Sequence, residues 1–592
     1  MLFPQENIIR EIKDLSGIWK FKIDKKNEGL KMKWFKKPME DFIFMPVPAS
    51  YNEITQDIEI RDHIGNVWYE KEFFIPNSWK NSNIILRIDG AANNSIIFIN
   101  GRKVGEHKGA FLPKDFEISD FVNFENSNRI TICINNILDW TTLPPGEIKK
   151  YNDDGHPKDF IIQEYYHDFY NYSGIHRKVL IYKIPKTYIE DVLVRTDIKG
   201  RNGIISYNIT VNGNEFNKVE VKIIDKDRVL KISNKLNDKI IIKDANFWFP
   251  GKPYLYDLSI ELFMDKKLID CYKLPIGIRT IKVTDKQFLI NGKPFYFKGF
   301  GKHEDSEIRG KGYDEVIVIK DFNLLKWIGA NSFRTSHYPY AEEILYLADR
   351  EGIVIIDEVP AVGLNMWNKK EKIFTKRRAG KKLLNHHIQV INDLIKRDKN
   401  HPSVVMWSLA NEAATYEKGA INYFKKIAEV TRKLDPTRPI TIVNSSNPDE
   451  CKVAQFFDVI CFNRYYSWYS DPGHLELIEI QLSRDLLKWY KRFKKPVFLT
   501  EFGADTIAGF HYHPPVMFSE EYQIELLKEY FKVLDKFDFV IGEHIWNFAD
   551  FATKQGLTRV GGNKKGIFTR NRQPKSAAFY IKERWNKLNK FC

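Results

Sequence analysis

Two hydrophobic patterns divide the chain. Up to about residue 277, short alternating or aromatic runs recur, as at 67–74, 84–89 and 95–100, and Gly and Asn turns separate them. Alternation with a period of two predicts strands that are buried on one face. From 278 onward, short apolar runs alternate with amphipathic stretches, which predicts parallel strands buried on both faces with helices between them. The sequence therefore predicts an all-β part followed by an α/β part.

A chain of 592 residues is too long for one ordinary domain. We expect residues 1–180 to form a jelly-roll β-sandwich and 181–277 an immunoglobulin-like β-sandwich, because their strands are short and regularly spaced. Residues 278–592 are expected to form a (β/α)8 TIM barrel, because eight strand-like runs alternate with helical ones. The loop 167–177 is rich in aromatic and polar groups, and we expect it to reach another domain's site.

Composition excludes several classes of protein. The formal charge of +15 favours contact with anions, but the charge is spread along the chain and no DNA- or RNA-binding motif accompanies it. A nucleic-acid partner is therefore not expected. The five cysteines are widely spaced and lack a CxxC motif, so we expect no disulfide framework, metal or other cofactor. The sequence shows no recognisable signal peptide and no apolar run long enough to span a membrane. We therefore expect a cytoplasmic protein that does not associate with membranes.

Two of the apolar runs end on a glutamate. Val404 to Trp407 leads to Asn411 and Glu412, and Val497 to Leu499 leads to Glu501. On the strand count, Glu412 ends the fourth barrel strand and Glu501 the seventh, at the edge where barrel enzymes keep their catalytic residues. A single such glutamate is usually a solvated loop residue or a helix cap. Two of them match glycoside hydrolysis, which needs a proton donor and a nucleophile.

The chain resembles glycoside hydrolase family 2 nearly end to end, and within it most closely the bacterial β-glucuronidases. The matching segments are 298–305, 334–340, 397–412, 463–466, 500–503, 546–550 and 561–566. The resemblance implies a retaining, exo-acting hydrolase with Glu412 as acid/base and Glu501 as nucleophile, their carboxyl groups about 5–5.5 Å apart. Glu412 must hold its proton near pH 7, so we expect apolar walls and the charge of Glu501 to raise its pKa.

The resemblance also implies which residues hold the sugar. Asn411 is expected to bond the 2-hydroxyl, and Tyr465 to donate a hydrogen bond to Glu501. Asn563 and Lys565 are similar to the Asn-x-Lys pair with which β-glucuronidases bind the sugar carboxylate, a charge-assisted contact that contributes about 1.5–3 kcal/mol. Further expected pocket residues are Asp168 from the first domain, His337 and Trp546, with Tyr469, Arg464 and Arg559 as weaker candidates.

Alternatives stay open at this point. Asn563 and Lys565 cannot separate glucuronate from galacturonate, so a β-galacturonidase or β-galactosidase of the same family is the second enzyme hypothesis. A non-catalytic carbohydrate-binding protein is disfavoured because Glu412, Glu501, Asn411 and Tyr465 are all present. Expected partners are small-molecule or oligosaccharide glucuronides, and the family resemblance implies a homo-oligomer, a tetramer.

The segment between Gly363 and His387 departs from the family pattern, since it is shorter than in the best-known bacterial members. It is also strongly basic; the cations are Lys369, Lys370, Lys372, Lys376, Arg377, Arg378, Lys381 and Lys382. A solvated loop is the simpler interpretation. The second hypothesis is an open site that accepts larger, acidic aglycones.

Overall fold

The computed structural model describes residues 2–367 and 371–588. Its N-terminal part is a β-sandwich whose main sheets have the strand orders β1-β14-β5-β9 and β3-β2-β4-β10-β7-β8. The strands are β1 (Glu11–Asp14), β2 (Gly17–Ile23), β3 (Ile43–Val47), β4 (Asn66–Phe73), β5 (Asn83–Ile88), β6 (Ala91–Ala92), β7 (Asn94–Ile99), β8 (Arg102–Lys108), β9 (Lys114–Glu117), β10 (Asn128–Asn135), β11 (Gly146–Lys150), β12 (Ile161–Tyr165), β13 (Gly174–Ile175) and β14 (Val179–Ile184). Short helices are α1 (Ile58–Arg61) and the 3-10 turns Trp34–Lys36, Tyr51–Glu53, Asn77–Trp79 and Ser119–Phe121. Trp19 and Phe21 of β2 point into the core while Ile18 is exposed, as period-two alternation requires.

The next part is a second, smaller β-sandwich. Its sheets have the orders β15-β16-β19 and β18-β17-β20-β21. The strands are β15 (Tyr188–Lys199), β16 (Asn202–Asn212), β17 (Lys218–Asp225), β18 (Arg228–Ser233), β19 (Asn237–Ile242), β20 (Tyr256–Met264) and β21 (Lys267–Ile276). In β16, Ile205, Tyr207 and Ile209 are buried and the residues between them are more exposed, so the alternation seen in the sequence is the core face of this sheet.

The C-terminal part is a closed parallel barrel, in sequential strand order. A small sheet, β22 (Ile281–Val283), β23 (Phe288–Ile290) and β24 (Lys293–Pro294), precedes it. The barrel strands are β25 (Phe297–Lys302), β26 (Ser332–Thr335), β27 (Val354–Glu358), β28 (Val404–Asn411), β29 (Ile440–Asn444), β30 (Ile460–Asn463), β31 (Val497–Glu501) and β32 (Val540–Ile545). Phe288 and Ile290 pack with Met406 and Phe498 in one apolar cluster, which closes the barrel at the amino ends of its strands.

Helices cover the outside of the barrel. They are α2 (Glu315–Ile328), α3 (Glu342–Glu351), α4 (Lys381–Asp398), α5 (Lys418–Leu434), α6 (Ile478–Phe493), α7 (Glu520–Leu534) and α8 (Ser576–Lys587), with 3-10 turns at Ala454–Phe456 and Leu475–Leu477. The predicted TIM barrel is confirmed, with one difference: in the described chain, β29 is followed by the turn Ala454–Phe456 rather than by an α-helix. The connecting segment 445–453 is short and begins with Ser445, Ser446, Asn447 and Pro448, residue types that favour turns.

A loop of the first sandwich lies against a loop of the barrel. Phe169 forms an isolated antiparallel bridge with Thr553, and the N–H of Tyr170 donates to the carbonyl of Ala552 at 2.9 Å. The loop 167–177 therefore reaches the carboxyl-end mouth of the barrel, as its composition led us to expect. No helix in the described ranges has the length and apolar character needed to cross a membrane.

Candidate active site

Glu412 follows directly after β28, all of whose residues are buried. Its backbone lies in the left-handed region at φ 52°, and its N–H donates to the carbonyl of Val443 at 2.8 Å. The side-chain amide of Asn463 donates to Glu412 Oε1 at 2.9 Å. Burial, and secondly the charge of Glu501, raise the pKa of Glu412 to about 8. The carboxyl group is therefore protonated at neutral pH, as a general acid must be.

Glu501 is the last residue of β31 and is buried. The Tyr465 hydroxyl donates to Glu501 Oε2 at 2.7 Å, and the Arg334 guanidinium donates to Oε1. Both oxygens of the carboxylate are thus held by donors, one from β26 and one from the segment that follows β30. Glu412 and Glu501 line the same cavity at the barrel mouth.

A third carboxylate, Glu358 at the end of β27, was missed by the sequence analysis. It is fully buried and accepts hydrogen bonds from Arg334 Nη1 at 2.8 and 2.9 Å. His337 Nδ1 lies 2.7 Å from Oε1 of this carboxylate, and the Ser408 hydroxyl donates to Oε2 at 2.7 Å. Burial alone would raise the pKa of Glu358, but the charge of Arg334 and these bonds lower it overall. The sequence did contain a signal for Glu358, because the apolar run 354–358 ends on a glutamate as the runs before Glu412 and Glu501 do.

Arg334 therefore links the two anionic carboxylates beneath the cavity. It is fully buried, and it forms ion pairs with both Glu358 and Glu501. Its Nη1 also donates to Asn411 Oδ1 at 3.3 Å, which fixes the amide beside Glu412. One wall above this group consists of Trp546 and His337, whose rings stack with centroids 5.0 Å apart.

A cationic corner lies beside the carboxylates. Asp168 accepts hydrogen bonds from Arg559 Nε and from the Asn563 side chain, each at 2.8 Å. The Tyr469 hydroxyl oxygen accepts from Arg559 Nη2 at 2.8 Å and from Lys565 Nζ at 2.9 Å. Because this oxygen accepts two N–H groups, its own proton is free to point into the cavity.

Lys565 is fully buried and forms an ion pair with Asp505, a residue that the sequence analysis did not single out. Asp505 also accepts from the backbone N–H of Lys564 at 2.7 Å. The ammonium thus lies behind Tyr469 and Asn563 rather than in the cavity wall. A buried amine is costly without a partner, so Asp505 explains how Lys565 is kept there.

These groups surround one cavity of about 840 Å³, within the usual range for small-molecule sites. The expected site residues in its lining are Asp168, His337, Asn411, Glu412, Arg464, Tyr465, Tyr469, Glu501, Trp546, Arg559 and Asn563, while Lys565 lies just behind them. Arg464 differs from the others because its guanidinium is taken up by Asp485 at 2.6 Å and by backbone carbonyls. We therefore assign it a supporting position.

Among the described residues of the basic segment 364–386, those that line this cavity carry no positive charge. They are Asn365, Met366, Trp367 and Glu371, and the first sandwich adds Lys149 and Tyr166. Arg378 pairs with Glu371 and lies 5.5 Å over the Trp140 ring. Lys369 and Lys370 lie outside the described residues. The hypothesis that this segment opens the site to larger, acidic aglycones stays a prediction.

Across the described ranges, no group of three or more His, Cys, Asp or Glu side chains is arranged to hold a metal ion. The chemistry available at the cavity is acid–base and nucleophilic, from a protonated carboxyl group facing a carboxylate.

Fold and site together define a glycoside hydrolase. Three family models match the chain in sequence: the family 2 sugar binding domain at residues 12–185, a model described as glycosyl hydrolases family 2 at 187–279, and the family 2 TIM barrel domain at 281–590. The chain belongs to glycoside hydrolase family 2.

Full-length relatives share this organisation. The chain is 55% identical to a β-glucuronidase of Paenibacillus borealis over 100% of this chain and 99% of that protein. It is 47% identical to the β-glucuronidase of Homo sapiens over 99% and 93% of the two chains. A solved structure described as a β-D-glucuronidase of Dictyoglomus thermophilum matches with a TM-score of 0.95 and 56% identity, covering 100% of both chains.

Proposed function

We propose that this protein is a retaining, exo-acting β-glucuronidase that hydrolyses β-D-glucuronides to D-glucuronate and an alcohol. The observation that carries the proposal is the cationic corner of Arg559, Lys565 and the Tyr469 hydroxyl beside the Glu412–Glu501 pair. A sugar carboxylate can accept hydrogen bonds there from the Tyr469 hydroxyl and the Asn563 amide, beside the positive charges of Arg559 and Lys565, whereas a neutral hexose has no charge for them to attract. The full-length similarity to β-glucuronidases supports the same substrate.

In the first step, Glu501 attacks the anomeric carbon while Glu412 gives its proton to the glycosidic oxygen. A bond forms between the sugar carbon and a Glu501 oxygen, and the bond to the aglycone breaks as the alcohol leaves. The raised pKa keeps Glu412 protonated for this step. Arg334 and Tyr465 hold the attacking carboxylate in position.

In the second step, water attacks the same carbon and gives a proton to Glu412, and the ester bond to Glu501 breaks. Ester formation removes the negative charge of Glu501, which is one of the two causes that raise the pKa of Glu412. The pKa of Glu412 should therefore fall in the intermediate, so that the same side chain acts as a base.

The remaining cavity residues are proposed to hold the sugar. Asn411 would bond the 2-hydroxyl, which its hydrogen bond from Arg334 supports, and Trp546 with His337 would form a wall of the sugar pocket. Asp168 orders Arg559 and Asn563 from the first sandwich. We divide the chain into domains at 1–180, 181–277 and 278–592, and the family resemblance further leads us to propose a homotetramer, which sedimentation of the purified protein would test.

The test is hydrolysis of a chromogenic β-glucuronide compared with the matching β-galacturonide, β-galactoside and β-glucoside, by wild type and Lys565→Ala. We expect kcat/KM for the glucuronide to fall at least about tenfold in the variant, because the positive charge and the hydrogen bond that support Tyr469 beside the sugar carboxylate are lost. Preferred turnover of the galacturonide would keep the mechanism and reassign the sugar. Preferred turnover of neutral glycosides, unchanged in Lys565→Ala, would contradict the proposal.

A further inference from the structure

A second polar cavity lies at the opposite end of the barrel from the active site. Its volume is about 290 Å³, and it is enclosed between β15, the segment 276–281 and the loops that lead into β28 and β29. It is thus built where the second sandwich meets the amino ends of the barrel strands. The cationic residues in its lining are Arg195, Arg279, Lys399 and Arg438.

Arg279 and Arg438 are the buried members of this set, each with 7% of its surface exposed. Among the residues described, Arg279 is the one of the two that has no carboxylate partner in direct contact. Its Nε donates to the carbonyl of Pro402 and its Nη2 to that of Val404, each at 2.7 Å. Within the described ranges, no carboxylate lies within 4.0 Å of the guanidinium, and Nη1 has no acceptor. Nη1 is not among the fully buried atoms, and Arg279 lines the polar cavity, so this nitrogen faces that cavity.

The guanidinium of Arg438 lies close to that of Arg279. Arg438 Nε donates to the same carbonyl, that of Val404, at 2.7 Å, so two cations share one acceptor. Burial and then the charge of Arg438 lower the pKa of Arg279. Arg438 has its own carboxylate, Asp435 at 2.8 Å, but Arg279 does not. The negative charges of Asp435 and Asp349 act on Arg279 only from a distance, so this buried cation beside another cation, with donors directed into a polar cavity, has no counter-ion in direct contact in the part of the chain that the structure describes.

The other lining charges do not supply that counter-ion. Lys399 is already paired with Asp191. Arg195 is exposed, forms no ion pair in the described part of the chain, and adds a further cation at the rim. Asp197 is the only lining carboxylate among the described residues, and it is exposed and accepts the backbone N–H of Ile198 at 2.8 Å.

We propose that this cavity binds a small tetrahedral oxyanion of the phosphate class, held by the free donors of Arg279 and by Arg195. Planar guanidinium groups match the oxygen spacing of such anions and bind them with paired hydrogen bonds. A bound oxyanion would join β15 and the 276–281 segment to the barrel loops around Arg438. The site is remote from the sugar cavity, and the proposal does not rest on the hydrolase activity.

The experiment is titration of the full-length protein with inorganic phosphate, with binding followed by calorimetry and by the thermal unfolding midpoint, against potassium chloride of equal ionic strength. We expect one phosphate per chain at this site and a saturable rise in the midpoint beyond that given by chloride. Arg195→Gln should weaken binding about tenfold, because it removes a charge-assisted contact at an exposed position. Asp197→Asn should tighten it, because it removes the nearby negative charge.

Two controls locate the bound anion. Lys565→Ala alters the sugar cavity and should leave the phosphate affinity unchanged, whereas its loss in that variant would place phosphate in the active site and overturn the proposal. Lys33→Gln removes an exposed cation of the first sandwich and should also have no effect. Arg279→Lys retains the charge without the planar fork and should bind more weakly. Equal affinity in wild type, Arg195→Gln and Asp197→Asn, or no effect beyond chloride, would refute the site.

Discussion

The raised pKa of Glu412 serves catalysis but lowers the stability of the folded protein at neutral pH. Its pKa is raised to about 8 from an ordinary value of 4.5, by burial first and by Glu501 second. The unfolded chain ionises this group near 4.5, so the stability present below that pH is lost as the pH rises towards 8. A residue that must stay protonated for proton transfer therefore weakens the folded state at neutral pH.

We predict that Glu412→Gln is more stable than wild type by about 3 kcal/mol at pH 7 and equally stable at pH 4. The isosteric amide keeps an oxygen for Asn463 and has no charge to bury. Urea unfolding at the two pH values measures the difference. The same variant should lose about 10²–10⁴-fold in turnover of glucuronides with poor leaving groups, because general acid catalysis is absent.

Glu358→Gln is the matched control, with the opposite sign. The pKa of Glu358 is lowered overall, so its contribution to stability is present at neutral pH and is lost as the pH falls through the folded-state value. The substitution should therefore destabilise the protein at pH 7, because Arg334 keeps only one carboxylate. Stabilisation by both variants, or by neither, would contradict this account of the two carboxyl groups.

Tyr469 is the residue at which the cationic corner can be tested most cleanly. Its hydroxyl oxygen accepts from both Arg559 and Lys565, and its proton is free for a ligand. Tyr469→Phe should raise KM for a glucuronide about tenfold or more, with a smaller change in kcat. The reason is that Arg559 and Lys565 lose the hydroxyl oxygen that accepts their hydrogen bonds and holds them in position. Steady-state kinetics measure this split. Tyr466→Phe removes a hydroxyl that binds Asp485 instead, and it should leave KM unchanged.

At the scale of elements, the decisive feature is the loop 551–563 of the barrel. The tip residues Leu557 and Val560 are strongly exposed, yet the loop carries Arg559 and Asn563 into the site. Asp168 of the first sandwich binds both of these side chains, so one carboxylate orders a loop of another domain. The loop is thus held from outside the barrel by Asp168, in addition to its own backbone bonds between Phe551 and Asn563.

Asp168→Ala should release this loop. We expect faster amide hydrogen exchange across 553–563 and a fall of about tenfold or more in kcat/KM for glucuronides, because two charge-assisted or polar contacts are lost. Exchange measured by mass spectrometry, with kinetics on the same preparation, checks both effects. Leu557→Ser, at the fully exposed tip, should change neither. Unchanged exchange in Asp168→Ala would show that the loop is ordered by the barrel alone.

At the scale of the whole molecule, buried ion pairs join the first sandwich to the barrel. Arg177 donates to Glu304 at 2.9 Å and to the carbonyl of Pro339 at 2.6 Å, and both charged side chains are nearly inaccessible. Arg87 of β5 reaches Glu342 of α3 at 3.2 Å. These contacts hold the loop 167–177 at the barrel mouth, so stability and activity should be coupled through them.

Arg177→Gln should therefore lower the thermal midpoint and the activity together. Removing one partner of a buried pair costs about 3–5 kcal/mol, because the remaining charge stays buried. Scanning calorimetry and glucuronide kinetics on the same variant measure the coupling. Lys183→Gln breaks a more exposed pair with Glu11 within the first sandwich and should cost less than about 1 kcal/mol with no loss of activity. If Arg177→Gln lowers the thermal unfolding midpoint but keeps full activity, stability and activity are not coupled through this ion pair and the prediction is wrong.

The sequence by itself determined the strands, most of the barrel helices and the strand ends that carry Glu412 and Glu501. These features depend on hydrophobic periodicity and on turn residues, both of which are local properties of the chain. The buried runs before Glu412 and Glu501 became β28 and β31, and the period-two run at 203–211 became the core face of β16. The family resemblance added the expected pocket residues.

Only the tertiary structure decided which groups are partners. Arg334 with Glu358, Lys565 with Asp505, and Asp168 with Arg559 are contacts between segments that lie 24, 60 and 391 positions apart in the sequence. Each pair joins buried or half-buried charged side chains, and which side chains meet depends on how the strands and domains pack. No local sequence pattern specifies these partners. The raised pKa of Glu412 has the same origin, because burial and the approach of Glu501 exist only in the folded barrel.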